Sequence, residues 1–257
     1  MIQLPPSEVA GVGSLDLTTM ERQILLQMQQ SSEIYAYDSV AVLEFELKTR
    51  SDIVASAMAL NNSGATFATF EGSYCNERYW QLQPNGAFRL RGGVTPAEGI
   101  TDIFRNGRLY AFECATAMVI VLYKAVLGAI GEASFNTYFG GLVLYDWQYD
   151  SDLRIISRTR GTSYPGDVRY FNNPDFNPTN PEWRGENAIQ LPGGLYYAHG
   201  LGIRRPEEIL RILNMRRRPG SLTPAHLLEQ YEVLDYAYTY RLKSGVARIG
   251  GQVFVLG

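Results

Sequence analysis

Apolar residues recur at helical spacing through "SVAVLEFELKTRSDIVASAMALNNSG", Ser39 to Gly64. The run stops at Asn61-Asn62-Ser63-Gly64, a combination that ends helices, so one long helix is expected there. "ATFATF" (Ala65 to Phe70) reads as a strand, and "RYWQLQPNGAFRLR" as a hairpin turning at Asn85-Gly86. In "TPAEGITDIFRNG", Thr95 is placed as N-cap, Pro96 as the first helical residue and Gly107 as the stop. A second, more apolar helix is expected over about Phe112 to Ile130, followed by a short helical piece around Ser134 to Phe139. "GLVLYDW" and "GDVRYF" read as strands. The three prolines and four asparagines of "NNPDFNPTNPEW" make a loop, and "ENAIQLPGGLYYAHG" alternates on both sides of Pro192-Gly193-Gly194 as a hairpin. "RPEEILRILNM" and "TPAHLLEQYEVL" read as C-terminal helices, whereas the first forty residues carry few strong signals. The order gives an α+β architecture with an antiparallel sheet.

At 257 residues the chain is expected to form one domain, 1–257, with no internal repeat. A hydrophobic content of 46% supplies a full core, and 19% charged residues argues against a disordered chain. A net charge of −3 gives no general attraction to nucleic acid. The basic run Arg216-Arg217-Arg218 reads as the cationic end of a helix. The apolar stretch Ala115 to Ile130 is short and interrupted by Lys124, so a core helix is expected rather than a membrane span. Two cysteines, Cys75 and Cys114, cannot build a disulfide framework. With only two histidines, His199 and His226, and no CxxC, no metal and no cofactor is expected. The segment "MIQLPPSEVAGVGS" lacks the basic and apolar parts of a signal peptide, so the expected location is inside a cell or inside something a cell builds.

Cys114 carries the chemistry of interest. It stands beside Glu113 at the head of the most apolar helix. A helix N-terminus favours a thiolate, while an adjacent carboxylate disfavours one. Taken alone, Cys114 reads more readily as a small core residue than as a nucleophile, and Glu113 most simply as a carboxylate set against the helix dipole. Papain-like thiol enzymes use the same layout, a cysteine at the start of a central helix facing a sheet that supplies the base and its orienting partner. Hairpin arithmetic brings two candidates to that sheet. If Leu191 pairs with Leu195, Glu186 falls opposite Gly200 and His199 opposite Asn187; a turn one residue tighter pairs Glu186 with His199 directly. Either register leaves Glu186 and His199 at one open end of the hairpin.

The motifs "YAFECATAMVIV" (Tyr110 to Val121), "LYDWQYD" (Leu144 to Asp150), "YFNNPDFNPTNPEWRGENAIQL" (Tyr170 to Leu191) and "YYAHGLGI" (Tyr197 to Ile203) resemble the Bacillus-type spore-coat transglutaminase family. "FATF" and "FELKTRSDIVASA" resemble its upstream part. The resemblance covers roughly Ser39 to Leu213. Residues 1–38 and 216–257 match less well, and "ARIGGQVFVLG" looks like an extension.

The resemblance implies a compact fold related to the NlpC/P60 branch of papain-like enzymes, with the cysteine helix packed on an antiparallel sheet and surrounded by helices. It implies calcium-independent cross-linking of glutamine to lysine side chains. Cys114 in "FECAT" matches the family's nucleophile, Glu186 in "WRGEN" its acidic partner, His199 in "YAHGLG" its histidine, and Glu113 its second carboxylate. Phe67, Trp147 and Tyr170 match aromatics lining the substrate passage, and Trp183 is added from its place beside the motif. The implied partners are glutamine- and lysine-bearing spore coat proteins, met by a monomer in the mother-cell cytoplasm and then in the coat.

An ordinary thiol near 8.5 and an ordinary glutamic acid near 4.3 differ by about 4 units, so proton transfer between them is uphill by about 6 kcal/mol. A shared proton between Glu113 and Glu186 would narrow that gap, with Glu186 as principal base and His199 as its hydrogen-bonded support. The alternatives are a papain-like or NlpC/P60-type cysteine amidase, with water as acceptor, and a non-enzymatic coat protein on the same fold.

Overall fold

The computed structural model describes residues 1–243, 246–249 and 252–255. In chain order the elements are β1 (Ile2–Gln3), α1 (Thr19–Gln30), β2 (Tyr35–Ala36), α2 (Val40–Asn62), β3 (Thr66–Phe67), β4 (Trp80–Leu82), β5 (Phe88–Leu90), α3 (Pro96–Arg105), β6 (Ala111–Phe112), α4 (Cys114–Ile130), α5 (Glu132–Tyr138) and β7 (Val143–Leu144). They continue with β8 (Ile155–Arg158), β9 (Val168–Asn172), β10 (Gly185–Leu191), β11 (Leu195–Ala198), β12 (Gly202–Arg204), α6 (Pro206–Asn214), β13 (His226–Leu234), α7 (Tyr236–Lys243), β14 (Val246–Ile249) and β15 (Gln252–Val255).

The main sheet has six strands in the order β12-β11-β10-β9-β13-β8, every neighbouring pair antiparallel. One face carries Val168, Ile189, Tyr197 and Val233 into the main core with α4 and α2. The other carries Phe171, Ala188, Tyr196 and Ala198 against Ile209 and Leu213 of α6. This is the period of two expected of strands buried on both sides. Helix α4 is apolar around nearly its whole circumference and is enclosed by α2, α3, α5 and α7, with β10 beneath it. The expected mixed fold, with helices around the cysteine helix and antiparallel sheets, is what the chain forms.

Helix starts follow their caps. Thr95 and Glu98 form a reciprocal capping box ahead of α3, with Pro96 at the first helical position. A second box, Thr18 with Glu21, opens α1, a helix absent from the expectation. Its Ile24, Leu25 and Met28 pack into a separate small core with Leu43 and Leu47 of α2. A buried ion pair ties α2 to the sheet: Arg50 donates to Glu46 at 2.9 Å and to Asp167 at 2.7 Å, just before β9.

One element is corrected. "TPAHLLEQYEVL" is not a helix; it supplies β13, which lies between β9 and β8. A bulge separates Leu227, paired with Phe171, from Tyr231, paired with Arg169. The extra residues break the strict alternation and leave apolar positions at a spacing that mimics a helix. Much of the 216–257 segment therefore belongs to the fold, as β13 and α7, and the hairpin β14–β15 follows. The strand expected over Ala65 to Phe70 is only Thr66–Phe67, with a 3-10 turn at Phe70–Gly72.

Candidate active site

Glu113 is the N-cap of α4. Its Oε2 accepts the Ala115 N–H at 2.7 Å, a cap of the kind that contributes about 1 kcal/mol. The same carboxylate turns its Oε1 to the thiol, and Cys114 Sγ donates to it at 2.9 Å. Cys114 occupies the first helical position, where the backbone N–H has no intrahelical acceptor. The short parallel pair β3–β6, with Thr66 opposite Ala111 and Phe67 opposite Phe112, delivers the chain to this point.

Cys114 lies on the floor of a cavity of about 660 Å³. Phe70, Asp146, Trp147 and Tyr149 form one wall, Tyr170, Arg184 and Asn187 another, and Leu228, Gln230 and Glu232 of β13 a third. The Trp147 wall is a tight turn in which Asp146 adopts a positive φ of 49° and Gln148 N–H returns to the Tyr145 carbonyl. Tyr170 lies across Gly185, where an added Cβ would run into the tyrosine hydroxyl. That contact explains the glycine of "WRGEN".

The sheet register decides which side chains meet the sulfur. Leu191 pairs with Leu195 and Ala188 with Ala198, the looser of the two expected registers, so Asn187 falls opposite His199. Asn187 also pairs with Tyr170, and Glu186 with Phe171. Successive strand residues face opposite sides, so Asn187 is the residue that turns to the cavity. Its Nδ2 lies 3.5 Å from Cys114 Sγ. Glu186 is buried behind the lining. Its Oε1 has no hydrogen-bond partner among the described residues.

Electrostatics couple these groups. Burial, then the charges of Glu186 and Glu113, pushes the Cys114 thiol well above its ordinary value. Burial and then the Glu113 charge hold the Glu186 carboxyl well above the usual carboxylate range. Both carboxyls therefore act on the sulfur, one in contact and one through its field. Cys75, half-buried and outside the cavity lining, is pushed up to about 11, chiefly by burial.

Three placements differ from expectation. His199 does not bond to Glu186. Its Nδ1 is 2.9 Å from the Tyr197 hydroxyl, and its ring stacks on Phe112 with centroids 4.7 Å apart. Burial drives it down to about 4, although the Thr66 and Phe112 carbonyls favour its charged form; among the described residues its Nε2 has no partner at hydrogen-bond distance. Phe67 does not line the cavity and packs against Gly200. Trp183 is also outside the lining: it packs on the Phe171 cluster, with the Arg216 guanidinium 4.6 Å from its ring. Trp147 and Tyr170 do line the cavity. Sequence reasoning missed Asn187 as a neighbour of the sulfur. The signal was present in the hairpin register, which sets Asn187 opposite His199, but a neutral amide drew no attention beside a glutamate.

The family model for protein-glutamine gamma-glutamyltransferase matches residues 1–243. A protein of that name from Halalkalibacterium halodurans is 44% identical over 227 residues, covering 88% of this chain and 80% of the relative. One from Bacillus mycoides is 44% identical over 215 residues, covering 84% and 78%. A solved structure, a transglutaminase from Geobacillus stearothermophilus without its C-terminal extension, superposes with a TM-score of 0.77 at 44% identity, covering 83% of this chain and all of that one.

Proposed function

The chain belongs to the protein-glutamine gamma-glutamyltransferase family, and from that premise we propose how its own residues carry out the acyl transfer. Cys114 is the nucleophile. The observation that carries this is the 2.9 Å contact from Sγ to Glu113 on the cavity floor, at the open N-terminus of α4.

Sγ attacks the side-chain amide carbon of a glutamine, and the thiol proton passes to one of the two carboxyls. The carbon–nitrogen bond then breaks, the proton goes to the departing nitrogen, and ammonia leaves a γ-glutamyl thioester. A lysine amine attacks the thioester, gives its extra proton to the same pair, and restores the thiol as the isopeptide bond forms. Burial, and then the neighbouring Glu113 charge, raise the proton affinity of the Glu186 carboxyl. Glu186 is the principal base, because its raised proton affinity comes closest to that of the raised thiol, and close matching favours transfer. Glu113, in contact with the thiol, is a partial substitute. The aromatic wall of Trp147 and Tyr170 admits a long thin side chain and limits competing water. The cycle as written uses no calcium ion.

On this reading the fold is a single papain-like domain, 1–257, in which the strands after the cysteine helix carry the acid–base groups. The substrates are glutamine- and lysine-bearing proteins of a spore coat, reached by a monomer in the mother-cell cytoplasm and then in the coat. The motif resemblance supports this part. Incubation with a glutamine-bearing protein and a fluorescent primary amine tests the reading. Labelled protein with release of ammonia supports it; ammonia without labelling makes the chain an amidase, and neither product removes the catalytic role.

A further inference from the structure

The thioester-forming step builds negative charge on the carbonyl oxygen beside Cys114, in a site whose ionisable neighbours are carboxyls. Glu113 touches the sulfur and Glu186 acts on it from behind. An oxyanion there needs donors that are already in place, aimed where the charge appears. The first is the Cys114 backbone N–H, left free by its position at the start of α4.

We propose that the Asn187 carboxamide is the second donor, the side-chain half of the oxyanion hole. The inference rests on the acyl-transfer reading above. Asn187 is 7% exposed, lines the cavity, and holds Nδ2 3.5 Å from Sγ. A carboxamide nitrogen carries two N–H donors. One is directed at the sulfur, and the other is available to an oxygen bonded to the carbon that the sulfur attacks. That oxygen forms next to Sγ, so a donor already resting on Sγ reaches it by a small side-chain rotation.

Several other donors around the cavity are bonded elsewhere or turned away from the sulfur. The Tyr170 hydroxyl donates to the Arg184 carbonyl. Thr116, whose hydroxyl oxygen accepts the Asp146 N–H, is outside the cavity lining. The Arg169 guanidinium donates through its terminal nitrogens to Ser163 and to the Leu228 carbonyl and, one residue before Tyr170 on β9, belongs to the opposite face of the sheet, and Arg184 is exposed. Position and register single out Asn187: it pairs with Tyr170 across β9–β10 and so faces α4 from the sheet. A neutral amide also suits the task, because it brings no charge of its own into the site and gains strength as charge develops on oxygen. Such an interaction lowers the barrier rather than tightening the ground state.

The test uses full-length chain with Asn187→Ala and the near-isosteric, uncharged Asn187→Leu, which keeps the volume but removes both N–H donors. Amine incorporation gives kcat and KM, thermal melting reports folding, and alkylation of Cys114 by iodoacetamide reports sulfur attack without an oxyanion. The expected result is a fall in kcat of about 10²–10³-fold in both variants, with KM and the alkylation rate within about twofold of wild type. If Asn187→Ala does not fold, Asn187→Leu carries the test. A kcat within about threefold of wild type in a folded variant overturns the proposal. A parallel fall in alkylation also overturns it, because Asn187 would then act on the sulfur. A wild-type chain that transfers no amine overturns the acyl-transfer reading, and this inference falls with it, whereas active wild type with normal variants sinks this inference alone.

Discussion

The Thr116 hydroxyl accepts the backbone N–H of Asp146 at 2.9 Å, pinning the turn that carries Trp147 to the cysteine helix two residues beyond Cys114. The link joins a cavity wall to the element that holds the sulfur. Asp146 is held there at a positive φ, a conformation that aspartate tolerates better than most residues.

Loss of either partner in this arrangement should affect turnover more than folding. Trp147→Ala removes the aromatic wall, and Thr116→Val strands the Asp146 N–H at a cost of about 1–3 kcal/mol. We expect Trp147→Ala to lose turnover well beyond its loss of melting temperature, and Thr116→Val to show a smaller loss in the same direction. Rate and stability falling in parallel would make Trp147 an ordinary packing residue.

The two cysteines should separate cleanly. Cys114→Ala is expected to abolish amine incorporation and to leave the fold, since it removes one sulfur at a helix start. Cys75→Ser should keep full activity, because Cys75 lies outside the cavity and burial holds its thiol near 11. Inactivity in Cys75→Ser together with activity in Cys114→Ala would move the nucleophile.

The carboxyl pair predicts a ranking. Glu186→Gln should lower kcat several hundredfold or about that order, a general-base effect, with residual activity through Glu113. Glu113→Gln should cost less, and the double substitution should be silent. Steady-state amine incorporation decides. If Glu113→Gln is the more damaging change, contact rather than proton affinity selects the base, and Glu113 takes the principal role.

His199 now predicts a pH effect on stability. Its pKa falls from an ordinary 6.5 to about 4. Between those values the unfolded chain binds a proton that the folded chain refuses, so stability drops as pH falls through the window, by up to about 3 kcal/mol. Buried carboxyls raised above their ordinary range, Glu186 and Asp167, pull the other way. The difference between wild type and His199→Gln therefore reads His199 alone. Urea unfolding at pH 7 and pH 4.5 should show wild type losing stability relative to the variant. An unchanged difference would mean that the ring is protonated in the folded chain. In amine incorporation, His199→Ala should cost less than Glu186→Gln, since the ring touches Tyr197 and Phe112 rather than the sulfur.

Much of this molecule was legible from the chain because the deciding interactions are local. Helix α2 ends in the Asn61-Asn62-Ser63-Gly64 stretch, α3 starts at its Thr95–Pro96 cap, and the β4–β5 hairpin turns at Asn85-Gly86, whose glycine has φ of 88°. The Cys114–Glu113 contact is local as well, since an N-cap and the first helical residue are held together by the helix start itself. What the chain could not show depends on partners distant in sequence. The segment of β13 has apolar spacing compatible with a helix, and only pairing with β9 and β8, across a bulge, makes it a strand. Phe67 and Trp183 are aromatic in the right motifs, but packing on Gly200 and beneath Arg216 takes them out of the cavity. His199 and Glu186 sit at one end of one hairpin, yet pleat alternation and the Leu191–Leu195 register turn Asn187, not Glu186, toward the sulfur and leave the imidazole to Tyr197. Sequence sets which chemical groups arrive at a sheet end. A period of two, fixed by strands far apart in the chain, decides which of them meet.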